Sequence, residues 1–508
     1  MWNVSLNHPL NIGDVKGMRP NFLFIMTDTQ NCSMVGTYGS NEVDTPNLDQ
    51  LAREGIRFDR AYTACPLCTP ARSAIFSGTY PQVNGAWTNN VAPSTAIPLM
   101  GTIFSYYGYH TAYVGKWHLD GTAYFGDGQA GGGFEPKWWF DGKRYAESIG
   151  PELFERYLAC RTVSDLHEGG FTEERIWGHR VADMACNFLE EIGSKPFVLV
   201  VSFDEPHAPS VAPPRFWEKF SPEDIPRPGN YNTPLEGKPK LQQIQSRQRG
   251  EVEWAATAGE LTRLFGCNSY IDREIGRVLD TLSDIHRKST VVIYTSDHGD
   301  MMGAHGLEKK GPMMYEEICR VPFIVRLPGG LEDRATCSLV SHLDIIPTML
   351  GLIGVDAPEA MSGTSLVPLF HDPDVPVRDF ALISFQRFAI NQDSVGEFYP
   401  IRCVADGRCK LVVNLFDNDE LYDLEVDPLE TTNLIDDPDL AEVRNQLHDR
   451  LLAEMDRIRD PFRSFRWGDR SWRRVRKQFY FGGESRIRPA GFPFQSESIE
   501  PDGTRSGS

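Results

Sequence analysis

Short apolar runs that end in polar residues recur along this chain, and segments with helical periodicity lie between them. The clearest runs are NFLFIMT at 21–27, FVLVVSF at 197–203 and TVVIYT at 290–295. Runs of this length and character predict strands that are buried on both faces. Residues 261–282 have the spacing of apolar positions that is typical of a helix. Strands that alternate with helices predict an α/β fold, with a large, mixed but mainly parallel sheet flanked by helices.

The same criteria predict further elements and a change of architecture near residue 373. Before that point we expect strands at 56–62, 111–114 and 321–326, and helices at 45–55, 70–76 and 343–352. Beyond it we expect short strands at 380–385, 400–404 and 409–414, and then a helix at 440–458. The sequence therefore predicts a large α/β domain at 1–375 and a smaller C-terminal α+β domain at 376–508. The second domain ends in a tail rich in Arg and aromatic residues.

The balance of charge limits the partners of a chain of this size. Among 508 residues, 70 are Asp or Glu and 51 are Lys or Arg, which gives a formal net charge of -19. An acidic surface disfavours nucleic acid and anionic membranes as main partners. The sequence contains no apolar run long enough to predict a membrane span. It also lacks the pattern of a secretory signal, so we expect a cytoplasmic protein with reduced cysteines. The mature form of an exported protein would have the same N-terminal sequence.

Carboxylates follow two of the predicted strands at the point where each strand ends. Asp28 lies directly after the first strand, in the sequence Asp28-Thr29-Gln30, and Asp297-His298 follows a later one. In open α/β sheets, ligands bind outside the carboxyl ends of the strands. Carboxylate oxygens are also the preferred ligands of hard divalent cations. Taken singly, either segment is better explained as a helix N-cap, but the two together with a nearby reactive cysteine favour a metal site.

Cys68 is that candidate cysteine, because it begins the sequence CTPAR with Pro70 and Arg72 at the second and fourth positions after it. Cys65 lies three residues earlier, so a CxxC pair for zinc or a disulfide is an alternative. A structural zinc site needs a second Cys or His pair at similar spacing, and none is evident in the sequence. Cys68, unlike Cys65, also fits the pattern C-x-P-x-R, and this second interpretation is the favoured one.

Four cationic side chains lie in short polar motifs further along the chain. Lys116 and His118 lie two residues apart in GKWH, and we expect them to face the same side of an extended segment. His207 lies in DEPHAP and Lys310 lies in EKKG. Each one alone is more often a surface residue. In combination they supply what a tetrahedral anion such as sulfate needs, which is several positive donors around its oxygens.

The order of these motifs resembles that of the formylglycine-dependent sulfatases of the alkaline phosphatase superfamily. The resemblance rests on MTDTQ, TPNLDQLAREGIRF, CTPAR, GYHTAYVGKWH, DEPHAP, TSDHGD, MMGAHGLEKKGPMMYEE, SHLDIIPTML and ELYDLEVDPLETTNL, and it covers about residues 19–435. It implies an alkaline phosphatase-like fold. It also implies an arylsulfatase-like sulfuric ester hydrolase that converts sulfate monoesters into an alcohol and inorganic sulfate.

The family chemistry assigns a modification and a metal to this chain. In that family, a cysteine at the position of Cys68 is oxidised to formylglycine (3-oxoalanine) by a formylglycine-generating enzyme. The aldehyde hydrates, one hydroxyl of the hydrate attacks sulfur, and the other allows sulfate to be expelled afterwards. The resemblance further implies one divalent metal, bound by Asp28, Asp297, His298 and the modified Cys68. Ca²⁺ is the expected ion, with Mg²⁺ and Mn²⁺ as alternatives.

The resemblance also implies roles for the remaining motif residues. Arg72 would hold the formylglycine hydrate, His118 would help to deprotonate it during sulfate release, Lys116 and Lys310 would bind sulfate oxygens, and His207 would lie by the leaving-group oxygen as donor or general acid.

One departure from the family pattern concerns the metal shell. Thr29 stands where many relatives have a second Asp that adds a metal ligand. The Thr29 hydroxyl, a Gln30 carbonyl or a water molecule would complete the shell instead. The shell therefore carries less negative charge, which leaves both the metal affinity and the choice of metal open.

We expect the substrate to be a sulfated sugar or another small sulfated alcohol. Trp87, Asn89, Asn90 and Trp117 are candidates to line a carbohydrate pocket, although ordinary packing explains them at least as well. Two alternative functions stay open, namely a phosphodiesterase or phosphonate monoester hydrolase of the same superfamily, and a non-catalytic binder of sulfated glycans with Cys68 unmodified. A homo-oligomer is compatible with the sequence, which does not specify an oligomeric state.

Overall fold

The computed structural model describes residues 19–40, 42–122, 124–250, 252–282, 284–389 and 398–473. Its strands are β1 (Asn21–Asp28), β2 (Ile56–Phe58), β3 (Ala61–Tyr62), β4 (His110–Gly115), β5 (Trp139–Phe140), β6 (Phe197–Pro206), β7 (Thr290–Ser296), β8 (Phe323–Arg326), β9 (Arg334–Thr336), β10 (Val340–Ser341), β11 (Ala381–Phe385), β12 (Ile401–Ala405), β13 (Cys409–Asn414) and β14 (Glu420–Asp423). Its helices are α1 (Pro46–Arg53), α2 (Cys68–Ser77), α3 (Pro81–Asn84), α4 (Met100–Tyr106), α5 (Gly142–Ile149), α6 (Pro151–Ala159), α7 (Val163–Glu168), α8 (Trp177–Glu191), α9 (Pro214–Trp217), α10 (Lys240–Arg249), α11 (Trp254–Thr281), α12 (Asp284–Arg287), α13 (Glu316–Cys319), α14 (Ile345–Leu352) and α15 (Ala441–Arg457).

The main sheet has eight strands in the spatial order β5-β4-β6-β1-β7-β8-β2-β9. The strands from β5 to β7 are parallel, and β1 lies between β6 and β7. β8 runs antiparallel to both of its neighbours, whereas β2 and β9 are parallel to each other. This mixed, mainly parallel sheet confirms the predicted fold class. The carboxyl ends of β4, β6, β1 and β7 lie at one edge of the sheet, where ligands bind in folds of this kind.

Both faces of the sheet are covered by apolar side chains, as the continuous apolar runs predicted. On β1, Leu23 and Ile25 belong to one core cluster, and Phe22 and Phe24 belong to another. This division follows from the two-residue repeat of a strand, which sends successive side chains to opposite faces. Helices α8 and α11 contribute to the first cluster, and α2 and α14 contribute to the second. The centre of the sheet is therefore a rigid support for the polar groups that follow its strands.

A second, smaller unit follows the main sheet along the chain. Strands β11 to β14 form a four-stranded antiparallel sheet, and α15 packs against β12 and β13. Arg402 on β12 forms a fully buried ion pair with Asp460, with Nε 2.7 Å from Oδ2. This sheet and helix confirm the smaller α+β unit, whereas the boundary after residue 375 stays a prediction. Most of the tail rich in Arg and aromatic residues lies outside the described residues.

Several elements differ from the sequence-based expectation. The strand predicted at 56–62 is two strands, because β2 joins the main sheet and β3 pairs with β10 instead. Helix α2 begins at Cys68, two residues earlier than predicted. Helices α5 to α8 occupy 142–191, where no element was predicted. Among the described residues, no helix is both long enough and apolar enough to cross a membrane.

Candidate active site

The polar residues that follow four neighbouring strands meet at one edge of the main sheet. Asp28 is the last residue of β1, Asp297 follows β7 directly, Lys116 follows β4 directly, and Asp204 lies near the end of β6. Asp28 and Asp297 are fully buried, and Lys116 is 1% exposed. Since these strands are adjacent and parallel, their carboxyl ends bring side chains from distant parts of the chain together. This convergence is the arrangement that the sequence predicted.

Arg72 joins three of these strand ends from the first turns of α2. Its Nε donates to Asp297 Oδ2 at 3.0 Å, and its NH2 donates to Asp28 Oδ2 at 3.1 Å. Its NH1 donates to the Lys116 carbonyl at 2.7 Å and to Ser202 Oγ at 2.8 Å. Burial opposes the charged form of this guanidinium, but Asp297 and Asp28 outweigh burial and raise its pKa. Arg72 is therefore a permanent cation that fixes both carboxylates.

Cys68 lies at the start of α2 and is surrounded by charged groups. Its Sγ is 3.0 Å from Lys310 Nζ, 3.3 Å from His298 Nε2 and 4.0 Å from Lys116 Nζ. Asp28 Oδ1 lies 3.9 Å from the same sulfur. Burial and Asp28 would raise the pKa of the thiol, but Lys116, Lys310 and His298 outweigh them and lower it to about 6. The position of residue 68 therefore favours an anionic atom.

Asp28, Cys68, Asp297 and His298 form a candidate metal centre, because their ligand atoms all lie within 4.8 Å of one another. The His298 Nδ1 lies 2.9 Å from the Gly299 carbonyl, which can only accept, so Nδ1 carries the proton. Nε2 faces the cluster and is the nitrogen that can bind a metal when it carries no proton. Burial and the neighbouring charge of Asp28 raise the pKa of Asp297 to about 7. This buried pair of carboxylates favours a further positive charge, and the donor set fits a divalent cation.

The two residues after Asp28 point in different directions. Thr29 Oγ1 donates to Asp28 Oδ1 at 2.6 Å, and Lys310 Nζ lies 3.4 Å from the same hydroxyl. The φ of Thr29 is 69°, a left-handed value that is rare and strained for a β-branched residue. The Gln30 side chain instead bonds Asn268 at 2.6 Å, away from the cluster. The Thr29 hydroxyl is thus placed to complete a metal shell, and the Gln30 side chain is not.

Lys116 and His118 do not lie on one extended segment, so the expectation that they share a face for that reason was wrong. β4 ends at Gly115, and His118 has a left-handed φ of 57°. The chain turns after Gly115, and this turn, not a shared strand face, brings both side chains to the site. Lys116 Nζ bonds Asp28 Oδ2 at 2.7 Å and Asp204 Oδ1 at 2.9 Å. The Nε2 of His118 lies 3.0 Å from Asn90 Oδ1.

Burial and neighbouring cations keep the rings of His118 and His207 neutral. Burial, Lys116 and Arg72 lower the pKa of His118 to about 3. Burial, Lys310 and Lys116 hold the pKa of His207 well below its usual value. A neutral imidazole can accept a proton, so both rings are equipped for acid–base work once an anion enters the site.

The model of the sulfatase family matches residues 20–355, and that of the C-terminal region of N-sulphoglucosamine sulphohydrolase matches residues 303–457. The first match covers more than half of the chain. This chain belongs to the sulfatase family. It is a sulfuric ester hydrolase of the alkaline phosphatase superfamily, as the order of the sequence motifs predicted.

Known relatives span most of this sulfatase. The uncharacterized sulfatase YidJ of Escherichia coli strain K12 is 42% identical over 471 residues, covering 91% of this chain and 93% of that protein. The N-acetylglucosamine-6-O-sulfatase of Bacteroides thetaiotaomicron is 27% identical over 501 residues, covering 84% and 85%. A protein solved with its substrate D-glucosamine-2-N,6-O-disulfate has a TM-score of 0.72 at 23% identity, covering 88% and 99%. The phosphonate monoester hydrolase of Agrobacterium radiobacter also has a TM-score of 0.72 at 23% identity, covering 86% and 96%. The two structural likenesses show a shared fold.

The residues suggested for a carbohydrate pocket in the sulfatase mostly pack against other elements. Trp117 is 3% exposed, and its ring packs against aromatic side chains of the core. Trp87 packs against Phe398, and the Asn89 side chain accepts the backbone N–H of Thr69. For these three residues, ordinary packing is the better explanation. Asn90 alone of the four contacts a predicted catalytic residue, through its bond to His118.

Tyr124 is a residue of the site that the sequence did not reveal. Its hydroxyl lies 2.6 Å from Lys116 Nζ and 3.0 Å from His207 Nδ1, and it donates to Asp204. The residue lies in a glycine-rich loop after β4, outside every motif that resembles the family. Only the fold of this loop brings it to the site, so no local signal could have identified it.

A large cavity of the sulfatase lies beside the segment that carries His118, since Trp117 and Leu119 both line it. It has a volume of about 810 Å³ and is lined mainly by apolar side chains such as Ile97, Ile103, Tyr106 and Met361. None of the predicted catalytic side chains lines it. The size of a cavity therefore does not identify the predicted catalytic residues of this chain.

Proposed function

We propose that this sulfatase hydrolyses sulfate monoesters of sugars, with formylglycine at position 68 and Ca²⁺ held beside it. The observation that carries the proposal is the set of charges around Cys68, where two lysines and the buried carboxylates Asp28 and Asp297 surround one sulfur atom. A sugar substrate is supported by the likeness to the N-acetylglucosamine-6-O-sulfatase. A sulfate ester is a tetrahedral anion, and the same cations that favour a thiolate would stabilise its oxygens.

The metal ligands, the nucleophile and Arg72 have distinct roles in this proposal. Asp28, Asp297 and His298 would hold the divalent cation, which would supply Lewis-acid polarisation of the ester. The hydrated aldehyde at position 68 would supply the attacking oxygen. Arg72 donates to both carboxylates and so fixes their positions relative to each other.

The remaining cations and histidines would bind the substrate and move protons. Lys310 Nζ is 3.0 Å from Cys68 Sγ, so it would contact an oxygen of a sulfate that approaches this atom. His118, whose ring is neutral, would accept a proton from the hydrate during sulfate release. His207 would lie by the leaving-group oxygen as donor or general acid. Lys116 would bind a second sulfate oxygen and balance the charge of Asp28.

The test begins with protein from its native host or from a host that supplies a formylglycine-generating enzyme. We expect the mass of the peptide containing residue 68 to show the aldehyde, metal analysis to show one Ca²⁺ per chain, and a panel of sulfated mono- and oligosaccharides to release sulfate. Cys68→Ala is the matched control, because Ala preserves the start of α2 and removes the nucleophile. If Cys68→Ala released sulfate as fast as the parent protein with formylglycine at position 68, the assigned nucleophile would be refuted.

A second candidate function is hydrolysis of phosphonate monoesters or phosphate diesters. It is favoured by the TM-score of 0.72 with a phosphonate monoester hydrolase, which equals that of the disulfated-glucosamine complex. The same site would serve, because both reactions need a nucleophile beside a cation and donors around a tetrahedral anion. Comparing kcat/KM for nitrophenyl sulfate, a nitrophenyl phosphonate and a nitrophenyl phosphate diester separates the two. A clearly higher value for either phosphorus ester would replace the sulfatase proposal.

A further inference from the structure

The hydroxyl of Tyr124 connects the two residues that would contact opposite ends of the scissile bond. It lies 2.6 Å from Lys116 Nζ, which would bind a sulfate oxygen, and 3.0 Å from His207 Nδ1, which would serve the leaving group. It also bonds Asp204 Oδ1. The Tyr124 ring packs against those of His118 and His207, with ring centroids 5.2 Å and 5.4 Å away.

The direction of each hydrogen bond follows from the chemistry of the partners. The ammonium of Lys116 has only donors, so the phenol oxygen accepts from it. The Asp204 carboxylate accepts, so the phenol donates its single proton there. Burial, Asp204 and Asp28 raise the pKa of Tyr124 well above its usual value, so the phenol keeps that proton. The phenol oxygen therefore has only acceptor capacity left for His207.

The same reasoning fixes the protonation of the His207 ring. Its Nδ1 lies 2.7 Å from the Ala208 carbonyl and 3.0 Å from the Tyr124 oxygen, and both of these atoms can only accept. Nδ1 therefore carries a proton in either charge state. The other nitrogen, Nε2, is the atom that can gain or lose a proton. A continuous chain of hydrogen bonds runs from the Asp204 carboxylate through Tyr124 to His207 Nδ1.

From these hydrogen bonds we infer that Tyr124 is a positioning residue for protonation of the leaving group. Asp204 orients Tyr124 by accepting the hydrogen bond of its hydroxyl. The inference rests on the proposed function. In the step concerned, the S–O bond to the leaving oxygen breaks and its electron pair stays on that oxygen. The neutral ring first takes up a proton from water on Nε2 when the anionic ester binds. His207 then gives this proton to the leaving oxygen, so that the alcohol departs neutral and the ring returns to its neutral form with Nδ1–H retained.

The charges around His207 explain why such support is needed. Lys310 and Lys116 oppose the protonated ring, whereas Asp28 favours it, and Ala208 contributes its carbonyl. Asp204 adds a carboxylate behind Tyr124, although Lys116 Nζ at 2.9 Å neutralises part of its charge. The phenol oxygen faces Nδ1 directly, so it would strengthen as an acceptor when positive charge develops on the ring. Without it, one acceptor of the protonated ring is lost.

The test compares Tyr124→Phe with the parent sulfatase, in protein with a modified residue 68 and bound metal. Phe keeps the ring contacts with His118 and His207 and removes only the hydroxyl. The substrates are nitrophenyl, phenyl and methoxyphenyl sulfate, whose leaving phenols become progressively less acidic. We expect kcat/KM to fall by less than about threefold for nitrophenyl sulfate and by roughly ten- to hundredfold for methoxyphenyl sulfate. A plot of log(kcat/KM) against leaving-group pKa becomes steeper, because a poor leaving group needs the proton most.

Two further variants make the result decisive. Asp204→Asn keeps the volume of the side chain, and we expect it to steepen the same plot. Tyr145→Phe is the matched control, because the Tyr145 hydroxyl bonds the Arg175 carbonyl at 2.7 Å, away from the site, and its plot should match that of the parent. An equal loss on all three esters, or no loss on any, overturns the role of Tyr124. Absence of turnover by the parent sulfatase itself contradicts the proposed function instead, so the two failures are distinct.

Discussion

When the protein is made in a host without a formylglycine-generating enzyme, residue 68 keeps its thiol, and that thiol reports the charge of the site. Its pKa is lowered from 9.0 to about 6, a difference of about 4 kcal/mol in favour of the thiolate. We therefore expect about nine tenths of Cys68 to be thiolate at neutral pH, against about one in a hundred for a thiol of ordinary pKa. Cys65, three residues away and fully buried, has a raised pKa because of burial and is an internal reference.

Lys116 and Lys310 are the main cations that lower this pKa, and Lys310 is the nearer of the two to the sulfur. Lys310 Nζ lies 3.0 Å from Cys68 Sγ, and a unit charge at this distance contributes roughly 5 kcal/mol at the effective dielectric of protein sites. That is as large as the whole preference for the thiolate. Lys310→Met should therefore return the pKa of Cys68 to the value of an ordinary cysteine or above it.

Two measurements in the presence of a chelator check this. The first is the pH dependence of iodoacetamide alkylation, followed by the mass of the Cys68 and Cys65 peptides. The second is the ultraviolet absorbance of the thiolate, taken as a difference from Cys68→Ser, which does not depend on access of a reagent. A midpoint near 8 or above in the parent protein, or an unchanged midpoint in Lys310→Met, would refute the electrostatic reasoning. Added Ca²⁺ should slow the alkylation, because the sulfur belongs to the metal cluster.

Three other substitutions test separate parts of the structure. Asp297→Asn should lower metal content and sulfate release together, and unchanged metal content would show that Asp297 is not a ligand. Thr29→Asp adds a carboxylate to the cluster at a left-handed position that Asp tolerates better than Thr; we expect roughly tenfold tighter Ca²⁺ binding by calorimetry, and weaker binding would contradict the placement of Thr29. Arg402→Met leaves Asp460 buried without its partner, so unfolding should become easier by about 3 to 5 kcal/mol; a thermal unfolding midpoint equal to that of the parent would show that the pair does not support the smaller sheet.

The sequence predicted the strands whose apolar pattern matches their burial in the folded sheet. β1 and β7 are buried on both faces, so their apolar runs were unambiguous. Asp28 and Asp297 had to lie at strand ends, because each follows such a run directly. The parallel arrangement then required these ends to meet.

The parts that could not be predicted depend on contacts between distant residues. His118 was expected on an extended segment, but it has a left-handed backbone, and its carbonyl and that of Lys116 accept hydrogen bonds from Thr69 and Arg72 of α2. Helices α5 to α8 carry a mixture of apolar and charged residues, and their apolar positions are explained only by the core that they cover. Tyr124 belongs to no motif, and its role depends on Lys116, His207 and Asp204, which come from two other parts of the chain.

The position of β1 in the sheet also determines when, during synthesis of the chain, the site can form. β1 is made first but lies between β6 and β7, so its partners are synthesised last among the strands that carry site residues. About 230 residues separate Cys68 from Asp297, and at about 5 to 20 residues per second their synthesis takes roughly 10 to 50 s. During that interval the segment around Cys68 has emerged, while His298 and Lys310, which contact its sulfur in the folded protein, do not yet exist. An enzyme that modifies this cysteine would thus have a window set by translation speed, and slower translation of residues 69–297 should increase the modified fraction.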